Sequence, residues 1–75
     1  MSEVRYETKD RGRIAYVGDA MIAEFYPLKE ETGYWVCVSI DGTERVFYND
    51  VLDSEDECKR KIKEMWTEFE KRMGR

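Results

Sequence analysis

The sequence predicts an α+β fold, an antiparallel β-meander of four or five strands with one C-terminal α-helix packed on one face. Three observations carry this. Short runs of alternating apolar and polar residues fill positions 3–48. Gly18-Asp19 and Asp41-Gly42 sit between pairs of those runs as two-residue turn signals. From Ser54 onward the apolar spacing changes from two to three and four, the period of a helix. Seventy-five residues make one domain, 1–75. A chain this short buries only roughly 60% of its unfolded surface, so its core is thin.

The first strand is expected at about 3–8, with Val4, Tyr6 and Thr8 on one side and Arg5 and Glu7 on the other. KDRG, 9–12, reads as a turn. Strands at about 13–17 and 20–27 flank Gly18-Asp19, which suits a type II′ turn. That register pairs Tyr16 with Met21, Ile14 with Ala23 and Gly12 with Phe25 on one face. On the other it pairs Ala15 with Ile22 and Arg13 with Glu24, the last an opposite-charge pair. Pro27 ends the run or marks an edge.

Strands at about 34–40 and 43–48 are expected around Asp41-Gly42, read as a type I′ turn. Ile40 then faces Thr43, Val38 faces Arg45, Val36 faces Phe47 and Tyr34 faces Asn49. The opposite face holds Cys37 with Val46 and Trp35 with Tyr48. Ser54 and Glu57 form a capping box for a helix over about 55–73, with Glu55, Asp56 and Glu57 at the positive end of its dipole. Cys58, Ile62, Met65, Trp66, Phe69 and Met73 make its apolar stripe.

The net charge is -4 and is unevenly spread. Residues 1–53 hold six basic against eleven acidic residues, and residues 54–75 hold seven against six. An acidic body is a poor match for phosphate backbones and suits a basic partner. No apolar run approaches the roughly 18 residues of a membrane span, and MSEVRYETKD has no apolar signal core. The expectation is a cytoplasmic chain with Cys37 and Cys58 as reduced thiols.

Histidine is absent, which removes the commonest general acid–base group and any Ser–His or Cys–His nucleophile pair. Neither GxxxxGK[ST] nor GxGxxG occurs. No Cys/His cluster offers a zinc site, and the acids Asp50, Asp53, Glu55, Asp56 and Glu57 fit helix capping better than a calcium loop. The chain is therefore expected to be no enzyme, with no cofactor, metal or small-molecule substrate.

Apolar side chains on both faces of the 33–50 hairpin set the functional question, because one helix covers one face. Whichever face it leaves open is an interaction surface for a protein partner or a second copy. The candidate partner-binding residues are Trp35, Tyr48, Val46, Glu44, Glu24, Ile22 and Tyr26, with Trp and Tyr as anchors. Ala15 and Val17 belong to the spare set of the first hairpin.

Trp35, Gly42, Phe47 and Ser54 set out a Trp-led strand, a Gly turn, a strand with an aromatic and a capped helix. This half of the chain resembles the three-stranded, AP2-like arm-binding domains of phage integrases. The resemblance implies a small nucleic-acid-binding domain, for which Lys59, Arg60 and Lys63 are the candidate contacts. Such domains read DNA with a basic sheet, whereas this hairpin carries Asp41, Glu44 and Asp50 against Arg45. In size, charge and architecture the whole chain resembles small phage-encoded inhibitors of host defence, including anti-CRISPR proteins. That likeness implies a protein target whose nucleic-acid site is blocked by acids, here Glu24, Glu30, Glu31, Asp41 and Glu44. A homodimeric structural domain is the remaining alternative.

Overall fold

A computed structural model describes residues 3–42 and 45–72. The elements run β1 (Arg5–Lys9), β2 (Gly12–Val17), β3 (Ala20–Pro27), β4 (Tyr34–Ile40), β5 (Val46–Leu52) and α1 (Glu55–Arg72). The strands form one antiparallel sheet in the order β1-β2-β3-β4-β5, and α1 lies across one of its faces. The expected α+β meander with one helix is what folds. No helix among the described residues is long and apolar enough to cross a membrane.

The core lies between sheet and helix. Val36, Val38 and Ile40 of β4, Ala23 and Phe25 of β3 and Ala15 of β2 meet Cys58, Ile62 and Phe69 of α1, all buried. The alternation of β4, with every second residue buried, decides which face the helix takes. Val36 and Val38 are two of the largest side chains with almost no exposure. Putting them in water would forfeit about 1.5–3 kcal/mol each.

Ser54 caps α1 as expected, its Oγ accepting the Glu57 N–H at 3.2 Å. The Glu57 carboxylate reaches one residue further back than a capping box requires and accepts the Asp53 N–H at 3.0 Å. Met73 and Gly74 lie outside the described residues. Arg13, expected to face Glu24, instead pairs with Phe25 in register, and its Nε bonds the Glu55 carboxylate at 2.7 Å. That contact ties the second strand to the first turn of the helix.

Two registers differ from those the sequence predicts. Around Gly18-Asp19 the turn holds, with Tyr16 opposite Met21 and Val17 opposite Ala20. Gly18 has φ of 60° and Asp19 is not among the positive-φ residues, as a type II′ turn requires. Beyond it the register slips by one between Ala15 and Tyr16, so Ala15 faces Ala23 and Ile14 faces Glu24. Ile22 is the extra residue of a β-bulge, and it joins Ala23 in the core at 3% exposure. The bulge brings Ala23 and Phe25 to the helix side with Ala15 and Ile22. Ile22 is therefore no part of the open face.

The second difference is larger. Asp41-Gly42 does not close a two-residue turn, because Ile40 faces Val46 and the connection spans 41–45. The fifth strand accordingly runs 46–52 and not 43–48. Val38 faces Tyr48, Val36 faces Asp50 and Tyr34 faces Leu52. A shift of three residues is odd, so it exchanges the two faces of β5. The tight turn would have set Arg45 opposite Val38 on the helix side, where a charge is costly to bury. In the observed register Val46, Tyr48 and Leu52 take those places and pack against the core. Arg45 stays exposed and lies 3.4 Å from Asp41.

Candidate protein-binding face

The sheet face opposite α1 is the open surface, and each strand sets its contribution by alternation, which the bulge at Ile22 shifts by one residue in β3. β2 supplies Ile14 and Tyr16, β3 supplies Met21, Glu24 and Tyr26, β4 supplies Trp35, Cys37 and Ser39, and β5 supplies Phe47, Asn49 and Val51. Three large apolar side chains stand out in water: Met21 at 52%, Phe47 at 61% and Val51 at 51% exposure. At the β1 end, Arg5 pairs with Glu7 and lies over the Tyr16 ring at 4.8 Å, so that flank is polar.

The centre is organised by two aromatic rings. Tyr26 and Trp35 are cross-strand partners, and their rings stack 6.0 Å apart at 11°. Val51 continues the row on β5. The Tyr26 hydroxyl donates to the Glu24 carboxylate, which fixes the ring's far end. That bond, with burial and the Glu24 charge behind it, pushes the Tyr26 phenol up to about 12. Ile14 stands opposite Glu7 and Glu24 in register and is only 6% exposed, outside the main core cluster.

Of the residues expected to bind a partner, Trp35, Tyr26 and Glu24 stand together on this face. Tyr48 and Val46 do not: the odd register shift turns them toward α1, where the Lys61 ammonium lies 5.1 Å from the Tyr48 ring centroid. Ile22 is in the core, and Glu44 lies outside the described residues. Phe47, Val51 and Met21 take the missing places. The register expected from the sequence sets Phe47 on the face of Val36, opposite Trp35, whichever face the helix takes; the observed register places it beside Trp35.

The thiols occupy opposite sides of the sheet. Cys37 is half-buried on the open face, with its pKa raised by burial and then by the Glu24 charge. Cys58 is fully buried under α1, and burial followed by Glu55 and Glu57 pushes it up to about 11. Neither is activated, since reactive thiols need a lowered pKa. At pH 8 a disulfide reagent should label Cys37 slowly and Cys58 at least about tenfold more slowly, because Cys58 waits for local opening. Mass spectrometry should count one label before denaturation and two after; equal rates would show that α1 does not seal Cys58.

The basic residues Lys59, Arg60 and Lys63 line one hollow between β1 and α1, together with Glu3 and Glu70. Lys59 lies 3.5 Å from Glu55 and 5.1 Å from the Tyr6 ring centroid, so part of this charge is locally engaged. Among the described residues no group of three His, Cys, Asp or Glu is placed to hold a metal ion.

The fold is a five-stranded meander with one covered face and one aromatic-centred open face. Comparison of the chain with family models, with curated proteins and with solved structures finds no match.

Proposed function

We propose that this chain is a non-enzymatic protein-binding module that works through the sheet face opposite α1. The observation that carries the reading is the contiguous row Tyr26, Trp35 and Val51, flanked by exposed Phe47 and Met21, on a domain whose core is already complete without it. Aromatic anchors held in fixed rotamers lose little entropy on binding, and the Tyr26–Trp35 stack with its Glu24 tether is such an anchor. A narrower form of the proposal is a phage-type, anti-CRISPR-like inhibitor acting in the cytoplasm on a basic nucleic-acid site. The net charge of -4 and the exposed acids Glu30, Glu31 and Asp41 support that form.

The test uses immobilised wild-type chain and its Trp35→Ala variant in one cell extract. A protein held by the wild type should be retained at least about tenfold less by Trp35→Ala, the loss expected for an anchor residue. Far-UV circular dichroism should be unchanged, because Trp35 is not in the core. Changing Lys59, Arg60 and Lys63 to Glu should leave the capture intact. Equal retention by wild type and Trp35→Ala would remove the open face from the proposal, and loss of capture in the triple Glu variant alone would move the site to the β1–α1 hollow.

A further inference from the structure

The open sheet has two edges of different character. β1, RYETK, is blunted by Arg5, Glu7 and Lys9. β5, VFYNDVL, has no Lys, Arg or Pro. Its backbone direction follows from the hydrogen-bond pattern. The Leu28 N–H donates to the Gly33 carbonyl at 3.0 Å, closing the β3–β4 loop. Odd-numbered residues of β4 therefore bond toward β3 and even-numbered ones toward β5. Since Val38 faces Tyr48 and Val36 faces Asp50, the even-numbered residues of β5 bond inward. Phe47, Asn49 and Val51 turn their N–H and C=O groups outward. The Val51 N–H agrees, because it is held by its neighbour Asp50 Oδ1 at 2.7 Å.

We propose that β5 pairs antiparallel with β5 of a second copy of this chain, about a two-fold axis at Asn49. The strand is chemically self-complementary around that point. Asn49 meets Asn49, Phe47 meets Val51, Val46 meets Leu52 and Tyr48 meets Asp50. Outward-bonding residues then face outward-bonding residues all along the strand, so the open groups of Phe47 and Asn49 find ladder partners, and the Val51 N–H exchanges Asp50 Oδ1 for the Phe47 carbonyl of the second copy. Exposed Phe47 and exposed Val51 cover each other on one face. Tyr48, whose hydroxyl now donates to its own Asp50 at 3.2 Å, reaches the Asp50 carboxylate of the second copy. A slip by one residue sets inward groups against outward ones. Centring on Asp50 opposes two carboxylates, and centring on Tyr48 sets Val46 against Asp50.

Seven residues a side place the contact among interfaces below about 1,200 Å², for which a Kd on the order of 10–100 µM is expected. The pairing uses the edge and leaves Tyr26 and Trp35 open, while it covers Phe47 and Val51, the β5 end of the proposed partner site. Light scattering on the wild-type chain should give 9.0 kDa at low micromolar concentration and approach twice that near about 1 mM. Asn49→Pro removes an outward N–H while leaving the bonds to β4, and proline is tolerated on an edge. It should stay at 9.0 kDa throughout, as should Phe47→Lys, whose side chain is exposed. A wild type fixed at 9.0 kDa overturns the proposal. So does a dimer that persists in Asn49→Pro, since side-chain contact between faces would then hold it. Should Asn49→Pro lose its far-UV signature, amide exchange of the wild type decides. Protection at Phe47, Asn49 and Val51 that grows with concentration sustains the pairing, and its absence rejects it.

Discussion

Phe25→Ala should leave the domain at or near its unfolding midpoint at room temperature. Phe25 is the largest side chain with almost no exposure, at 1%. It meets Tyr6 edge-on at 6.2 Å and Tyr34 edge-on at 6.1 Å, so it joins β1, β3 and β4 under the helix. Truncating a buried phenylalanine costs about 3–5 kcal/mol, part from lost burial and part from the cavity left behind. The stability typical of a 75-residue domain is about 4–11 kcal/mol at roughly 0.05–0.15 kcal/mol per residue. The two figures overlap, which is why one substitution reaches the edge of folding. Urea denaturation should show the midpoint falling with the slope little changed. A loss under about 1 kcal/mol would mean that the ring is not held by its neighbours as described.

Gly12→Ala should cost about 3 kcal/mol, the upper end for overpacking. A Cβ at position 12 would stand 2.3 Å from the Phe25 carbonyl oxygen and 2.6 Å from Tyr26 Cδ1. The ring can move, but the carbonyl belongs to the backbone of the neighbouring strand. Strand separation must therefore change locally, and the Tyr26 ring must leave its seat over Gly12. The variant consequently disturbs the core and the open face together. Thermal unfolding of Gly12→Ala with and without Tyr26→Ala separates the two contributions. More than half of the loss should persist without the ring, because the carbonyl remains. Complete relief by Tyr26→Ala would show that the ring alone sets the requirement for glycine.

Much of this fold was legible because each local signal had one physical reading. The Ser54 cap, the i, i+4, i+7 stripe from Cys58 and the Gly18-Asp19 turn are short-range, and short-range chemistry decides them. The open face was legible only in part. Trp35 follows from parity within its strand, which no neighbouring register changes, whereas in β3 the bulge at Ile22 breaks that parity ahead of Tyr26. Tyr48, Val46 and Phe47 depend on how β5 pairs with β4, and Asp41-Gly42 pointed to a turn three residues too tight in register. The competing term was the cost of Arg45 on the helix side, visible in the sequence but weaker as a local pattern than an Asp-Gly pair. The bulge at Ile22 escaped for a different reason. A period of two has no place for an extra residue, so only the mismatch between turn register and core face could have revealed it.

The strictly sequential strand order also shapes how the chain comes to be made. Every hydrogen-bonded neighbour in the sheet is the next strand along the chain, so each hairpin can close as soon as its second strand has emerged from the ribosome. The helix that seals Val36, Val38 and Phe25 is encoded after all five strands. For the time needed to synthesise residues 55–72, roughly one to a few seconds at 5–20 residues per second, the nascent sheet shows both of its apolar faces to the cell. That interval, more than the finished fold, is when a molecular chaperone would find most to hold.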